Sequence, residues 1–168
     1  MEIREVRPDE YEEAGRVTAL AYREFAPEDD PDWDEYLGVI ADVAARASVT
    51  TVLVAVEDGR ILGSATVELD DKVPESDPER VLDPEEGHLR MLGVDPAARG
   101  RGVGRALVDA SIEVARSRGK KVFRLTTTRM MTVARGLYER MGFEATPERD
   151  RHFESGFVLY AYELPLAD

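Results

Sequence analysis

The sequence predicts an α/β domain whose sheet contains both antiparallel and parallel strand pairs. Strand-like and helix-like apolar patterns alternate along the chain. The turn Glu57-Asp58-Gly59-Arg60 joins two strand-like runs and predicts an antiparallel hairpin. A strand, a helix and another strand between His88 and Thr127 predict a right-handed parallel crossover. The 168 residues, 43% of them apolar, suit one domain that spans residues 1–168.

The N-terminal third predicts one strand and two helices. Ile3–Arg7 alternates like a short strand, and Pro8-Asp9-Glu10 supplies the proline and the acids of a helix start. Pro27–Glu35, with six acidic residues and no basic one, predicts a loop. A second helix is predicted over Glu35–Ala47, where apolar residues recur on one side.

The middle of the chain predicts three strands and one long connection. Val49–Val56 is rich in β-branched residues, and Ile61–Leu69 is expected to return antiparallel to it. Asp70–Gly87 contains three prolines and shows no regular pattern. A connection of that length in a small domain is usually functional or partly disordered. His88–Val94 predicts the next strand.

The C-terminal part predicts two helices and three strands. A helix is predicted over Val103–Arg118 and is followed by a strand over Lys121–Thr127. The second helix is expected over Thr132–Met141, and the last two strands at Phe143 and at Val158–Leu164. The first of these helices has an apolar stripe that predicts its buried face: Val103, Leu107, Ala110 and Val114.

Composition excludes several classes of function. The net charge of −13 argues against a nucleic-acid partner, because phosphate binding needs a basic face. The chain has no cysteine, and its two histidines, His88 and His152, are too few for a three-histidine site, so we expect no bound metal. No stretch approaches the ~20 apolar residues of a membrane span, and charges interrupt the N-terminus where a signal peptide would be apolar. We therefore expect no membrane partner and a cytoplasmic protein.

The most informative segment is Arg99-Gly-Arg-Gly-Val-Gly104, between a predicted strand and a predicted helix. Glycines let the main chain approach a ligand closely, and the helix directs free N–H groups and its positive dipole end to the same place. Seven basic and two acidic residues lie between Arg99 and Lys121 in this otherwise acidic chain. Arg99, Arg101 and Arg105 are best explained by phosphate groups, so the segment predicts an anion site.

Two common phosphate motifs do not fit this loop. The dinucleotide fingerprint Gly-x-Gly-x-x-Gly would need glycine at Arg105, and the P-loop would need Lys and Ser or Thr directly after Gly104. The remaining pattern, Arg99-x-x-Gly102-x-Gly104, resembles the acyl-CoA signature of the GNAT-type N-acetyltransferases. A second block, Ala134 to Phe143, resembles the later helix of that family and its closing Leu-Tyr-x-x-x-Gly-Phe.

The resemblance covers roughly residues 88–143 in motif and the rest of the chain in element order. It implies a single-domain GNAT fold, with a mixed sheet of six or seven strands flanked by helices on both faces. It also implies acetyl-CoA as co-substrate, bound by the loop and by the preceding strand, with the N–H near Leu92 polarising the thioester carbonyl. The residues expected to bind it are Leu92, Gly93, Val94, Arg99, Gly100, Arg101, Gly102, Val103, Gly104, Arg105 and Thr132.

Residue type and position suggest further roles for some of these residues and their neighbours. Gly93 suits a bulge or a close approach within its strand. The family commonly carries an asparagine where this chain has Met131, and Thr132 could supply a hydroxyl there and cap the helix. Met130 and Met131 fit packing better than a wall of the pocket.

The resemblance assigns the general acid to Tyr138, near the cofactor sulfur, because a phenol can protonate a departing thiolate. An aromatic on an apolar helix face is otherwise most often core. The general base stays open between His88, a histidine with a suitable pKa near 6.5 that is more often structural, and Glu68 on the neighbouring strand. An amine that is already partly neutral would need neither.

The expected reaction is acetyl transfer to a primary amine of a small molecule or an amino-acid-like acceptor. In relatives the acceptor site involves regions that correspond to Pro27–Glu35, whose acids and Trp33 could attract a cation, and to Glu148–Ser155. A peptide N-terminus or a lysine is the other acceptor considered. Different classes also stay open: a non-catalytic acyl-CoA sensor or partner subunit, and a cofactor-free interaction domain. Relatives frequently dimerise, so a homodimer is compatible with the resemblance.

Overall fold

The computed structural model describes residues 1–26, 32–70 and 82–166. Its strands are β1 (Glu2–Glu5), β2 (Thr51–Glu57), β3 (Arg60–Glu68), β4 (Glu86–Val94), β5 (Val122–Thr127), β6 (Glu144–Ala145), β7 (Arg151–His152) and β8 (Val158–Pro165). Within the described residues the sheet has eight strands in the order β1-β2-β3-β4-β5-β8-β6, and β7 pairs with β8. The count exceeds the expected six or seven because β7, a pair of residues, carries too short a pattern to be recognised in a sequence.

Helices cover both faces of the sheet. They are α1 (Tyr11–Arg23), α2 (Trp33–Ala41), α3 (Val43–Ala47), α4 (Val103–Ser117) and α5 (Thr132–Arg140). Ala14 and Val17 of α1 pack with Val43 of α3 against one face. Leu107 of α4 and Tyr138 of α5 belong to the larger core on the other face. The fold class expected from the sequence is therefore confirmed.

Strand directions also follow the prediction. β2 and β3 form the antiparallel hairpin that the turn Glu57–Arg60 predicts. β4 and β5, on either side of α4, pair in parallel, as a strand–helix–strand crossover requires. The remaining pairs in the described residues are antiparallel. The parallel pair β4–β5 lies in the middle of the sheet, and the site described below begins where these two strands separate.

The prediction of one helix over Glu35–Ala47 was wrong. The chain forms α2 and α3 instead, separated at Asp42, whose side chain accepts a hydrogen bond from the N–H of Ala45 at 3.1 Å and caps α3. The predicted loop Pro27–Glu35 was wrong at its end, because α2 begins at Trp33. Its first five positions, 27–31, lie outside the described residues, as do 71–81 of the predicted connection Asp70–Gly87.

The buried face of α4 is wider than its predicted stripe. Ala110 and Val114 are only half-buried, because the adjacent residues Ser111 and Ala115 lie on the buried face of the helix instead. Ser111 tolerates complete burial because its hydroxyl donates to the carbonyl of Leu107 at 2.7 Å. The buried residues are Val103, Leu107, Val108, Ser111, Ile112 and Ala115. No helix in the described part of the chain is long and apolar enough to cross a bilayer.

Candidate active site

The central parallel strand pair opens into a cleft. β4 and β5 pair only as far as Leu89 and Leu125. Beyond that point β5 continues along β8 to Thr127, whereas the rest of β4 pairs with β3 alone. The strands therefore diverge and enclose a cleft of about 560 Å³, lined by both of them, by the loop 98–105 and by α5. The end of β4 consequently turns one main-chain edge toward the cleft.

A β-bulge interrupts β4 beside this opening. Thr66 pairs with Arg90 and Ser64 with Gly93, so two residues of β4 oppose one residue of β3. Met91, inside the bulge, has φ +50°, a conformation that costs a residue with a side chain about 1–3 kcal/mol. Strain of this kind collects at functional sites, and here it lies next to Leu92, the residue expected to present its N–H.

Gly93 itself is required by packing rather than by the bulge. A Cβ at this position would lie 3.1 Å from the Cβ of Ala21 and 3.2 Å from the Cα of Thr18, both on α1. Thr18 also shares a buried hydrogen bond of 2.5 Å with the hydroxyl of Ser64 on β3. α1 and the sheet therefore pack closely on one side of the cleft. Gly93 permits this contact, which is one of the two roles that the sequence suggested for it.

The glycine loop has the geometry of an anion cradle. Gly100 and Gly102 have φ +77° and φ +80°, in the left-handed region that favours glycine. A Cβ at either position would meet no atom within 4 Å, so the space in front of the loop is open. Gly102 is the N-cap of α4 and provides no side chain to its first turn. The N–H groups of that turn are thus left to a ligand.

The arginines of the loop are exposed and already paired with carboxylates. Arg99 forms an ion pair with Glu24, just after α1, and Arg101 with Glu57 at the end of β2. Arg105 lies 3.7 Å from Asp109 on α4. Exposed pairs of this type contribute little to stability, about 0–1 kcal/mol each, so a phosphate can replace the carboxylate partners.

Tyr138 lies at the inner wall of the cleft. Its side chain is 6% exposed, and its ring packs edge-on against Phe143 at 5.7 Å between centroids. Its hydroxyl has no hydrogen-bond partner among the described residues. Burial raises the pKa of this hydroxyl well above the ordinary value, so it stays protonated in the physiological range. Tyr138 thus belongs to the core, as one reading of the sequence expected, and it also lines the cleft; its role as the acid stays a prediction.

His88 and Glu68 lie on the face of the sheet that α1, α2 and α3 cover in part. They are directly paired residues of β4 and β3 and therefore share that face. Glu68 is buried and accepts a hydrogen bond from Nη1 of Arg90 at 2.9 Å. Nε2 of His88 lies 3.6 Å from Oε2 of Glu86. Each candidate for the base therefore lies beside a charged side chain, Glu68 beside Arg90 and His88 beside Glu86.

The prediction that Thr132 caps α5 was wrong. The N-cap is Met131, at φ −85° and ψ 56°, and no side chain caps the helix there. Thr132 is the first helical residue, and it lines the cleft together with Met130 and Met131. The two methionines thus form part of the wall, the interpretation that the sequence disfavoured.

The cleft collects most of the residues that the sequence singled out. Tyr138 lines it, and so do Leu92, Gly93, Val94, Arg99, Gly100, Gly102, Val103, Gly104, Arg105 and Thr132. Arg101, His88 and Glu68 are absent from its described lining. Sequence reasoning missed Tyr22, Phe25 and Tyr36, which α1, its C-terminal end and α2 bring to the cleft opposite α5. Their signal was weak, because each is one aromatic on a helix pattern.

Comparison with protein-family models identifies the family of this chain. The model of the acetyltransferase (GNAT) family matches residues 8–143. The chain belongs to the GNAT acetyltransferase family. The match extends well beyond the two motif blocks, and it confirms the family and the enzyme class, an acyltransferase, that the sequence predicts.

Individual relatives agree with this assignment. The chain is 45% identical over 64 residues to the mycothiol acetyltransferase of Beutenbergia cavernae, a match that covers 38% of this chain but 22% of that protein. It is 34% identical over 111 residues to the glucosamine 6-phosphate N-acetyltransferase of Trypanosoma brucei brucei, covering 65% of this chain and 69% of the relative. The chain thus spans about a fifth of the length of the mycothiol acetyltransferase.

The fold of this GNAT protein is shared by solved structures. A GNAT family acetyltransferase of Brucella melitensis, solved in complex with acetyl-CoA, superposes with a TM-score of 0.66 at 23% identity. The superposition covers 99% of this chain and 88% of the Brucella protein. At this identity the likeness establishes the architecture only.

Proposed function

We propose that this chain transfers the acetyl group of acetyl-CoA to a primary amine of a small, amino-acid-like acceptor. The observation that carries the proposal is the opening between β4 and β5, which places an edge of β4 beside the glycine loop. The pantetheine arm of coenzyme A carries amide groups and fits this edge as an added strand. Its pyrophosphate fits the N–H groups at the start of α4. The positive φ of Gly100 and Gly102 and the open space in front of them support that fit.

Tyr138 supplies the proton in this proposal. The amine nitrogen forms a bond to the thioester carbon, the bond from carbon to sulfur breaks, and the thiolate takes the proton of the Tyr138 hydroxyl. Because burial raises the pKa of Tyr138, the hydroxyl is protonated over the whole physiological range. A thiolate formed in the same buried place also has a raised pKa, so it can accept that proton. The N–H of Leu92, directly after the strained Met91, is our candidate donor to the carbonyl oxygen.

The incoming amine must lose a proton. Neither candidate base belongs to the described lining of the cleft, and Glu68 already accepts a hydrogen bond from Arg90 at 2.9 Å. Of the two, we propose His88 as the group that takes the proton. A small acceptor is supported by the names of two relatives in sequence, which refer to mycothiol and to glucosamine 6-phosphate.

The cofactor half of the proposal is tested by calorimetry with acetyl-CoA. Gly104→Ala places a methyl group in the cradle, yet its Cβ would meet its nearest neighbours, Leu137 and Val94, at an ordinary 3.6 Å. We expect about tenfold weaker binding with no loss of thermal stability. Gly38→Ala on α2 is the control glycine substitution, because a Cβ there meets no atom within 4 Å and Gly38 is absent from the described lining of the cleft. Equal affinities for the two variants would contradict the cradle.

The catalytic half is tested by turnover of labelled acetyl-CoA against a panel of small amines and peptides. Transfer to small amines supports the proposal, and transfer to peptides alone assigns the acceptor to the peptide class. Uptake of acetyl-CoA without transfer to any acceptor would instead indicate a non-catalytic binding subunit. Absence of uptake would contradict the proposal altogether.

A further inference from the structure

Arg46 is a buried arginine that contacts Thr66 of β3 and does not belong to the described lining of the cleft. It belongs to α3, a helix of five residues, and is 7% exposed. Its Nε donates to Oγ1 of Thr66 at 3.0 Å and its Nη1 to the carbonyl of Val39 at 3.2 Å. Its Nη2 is buried and has no hydrogen-bond partner among the described residues. Buried guanidinium nitrogens are normally satisfied, so this one needs an explanation.

The charge of Arg46 is also left without a counter-ion. No ion pair joins it to a carboxylate within the part of the chain that the structure describes. Asp42 is near enough to influence its charge but caps the main chain of α3. Burial, and then the positive charge of Arg90, lower the pKa of Arg46 to about 10. An unpaired cation in this environment is costly, and an apolar residue would often be at least as stable.

The register of the sheet places Arg46 beside Arg90. Thr66, which holds the guanidinium of Arg46, is directly paired with Arg90 across β3 and β4, and paired residues share a face. Arg90 lines the cleft together with Tyr22 and Tyr36, both of which also influence the charge of Arg46. Arg46 and Arg90 thus lie on the same face of the sheet. Arg90 lines the cleft and pairs with Glu68 at 2.9 Å, and Arg46 lies beside it, outside the described lining.

We propose that Arg46 and Arg90 together bind an anionic group, a carboxylate or a phosphate, carried by the acceptor amine. This inference rests on the proposed function and specifies its acceptor. A planar guanidinium pairs with two oxygens of either anion, and the anion would satisfy the buried Nη2 of Arg46.

The test compares acceptors that differ only in the anionic group. One arm sets an L-amino acid against its amide, and the other sets glucosamine 6-phosphate against glucosamine; kcat/KM is measured from release of coenzyme A. We expect the anionic member of at least one pair to be preferred by about tenfold or more. The arm that shows the preference distinguishes carboxylate from phosphate. Equal use of both members in both arms would overturn the inference while leaving the proposed function intact.

Arg46→Met then asks whether the preference depends on this side chain. The ratio of kcat/KM for the two members of a pair, measured in one preparation, does not depend on how much of the protein is folded. We expect the ratio to fall to within about twofold of one in Arg46→Met and to recover in part in Arg46→Lys. Arg60→Met, an exposed arginine at the hairpin, should leave it unchanged. An unchanged ratio in Arg46→Met would remove Arg46 from the proposal.

A binding arm keeps the inference testable if turnover is absent. The protein is saturated with coenzyme A, and each amine is titrated into it by calorimetry. The anionic member of a pair should bind more tightly than the neutral one, and Arg46→Met should remove the difference. Failure to take up coenzyme A would instead contradict the proposed function, so the two failures are distinguishable.

Discussion

The loop side of the cleft leaves its arginines in water, whereas the opposite side buries Arg46 and half-buries Arg90. On the loop side, Arg99 and Arg101 are exposed and paired with carboxylates from other elements. In our proposal, recognition there depends on the main chain around Gly102 rather than on side chains. On the other side, charge is buried, and in our proposal side chains recognise the ligand. We therefore expect the loop side to tolerate substitution of its charges better than the opposite side does.

Tyr138 also lines the cleft, and its substitution is expected to have the largest effect on activity. Tyr138→Phe removes the proposed acid but keeps the ring packed against Phe143. General acid catalysis typically contributes 10²- to 10⁴-fold, so kcat should fall by about 100-fold. The affinity for acetyl-CoA should change by less than about threefold, because the hydroxyl acts after binding. Steady-state kinetics and calorimetry measure the two quantities.

Tyr162→Phe is the matched control for this substitution. Tyr162 is also buried and also contacts α5, but its hydroxyl lies 3.2 Å from Glu139 and 3.4 Å from Arg135, outside the cleft lining. We expect nearly unchanged kcat in this variant. If both variants lose activity equally, Tyr138 supports the fold and is not the acid.

Much of the loop side could be predicted from the sequence, and the reason is local. The turn, the glycines and the helix start lie within a few residues of each other, so Gly100, Gly102 and the N-terminus of α4 follow from spacing alone. The bulge at Met91 could not be predicted, because it depends on register against β3. Arg46 escaped notice because a single arginine in a helix pattern is usually on the surface, and only the packing of α3 over Thr66 buries it.

The buried carboxylate Glu86, at the start of β4, predicts a pH-dependent stability. Burial raises the pKa of Glu86, but the hydrogen bond from Arg149 and the ion pair with Arg124 lower it by more, so the net pKa is below the ordinary 4.5. Its contribution is therefore present above about pH 4.5 and is lost as the pH falls below that value. Glu86→Gln should lower the free energy of unfolding by about 2 kcal/mol at pH 7, and the difference should shrink below pH 4.5.

Chemical denaturation at several pH values measures this difference. Glu85→Gln is the control. Glu85 is the residue before Glu86, and its own carboxylate pairs with Lys121 at the surface. An exposed pair contributes about 0–1 kcal/mol, so the control should stay within about 0.5 kcal/mol of the parent. A Glu86→Gln effect that is constant from pH 7 to pH 3 would show that packing, not charge, is responsible.

The smallest effects are expected for the loop arginines. Arg99→Gln should weaken acetyl-CoA binding by about threefold at low salt and by less at high salt, since exposed charges are screened over about 10 Å at 0.1 M. Arg101→Gln should change it by less than twofold, because Arg101 is absent from the described lining of the cleft. Glu24→Gln should act in the opposite direction, because it frees Arg99 from its carboxylate partner. Calorimetry at two salt concentrations separates the three variants, and a hundredfold loss in Arg99→Gln would mean that side chains, rather than the main chain around Gly102, bind the diphosphate.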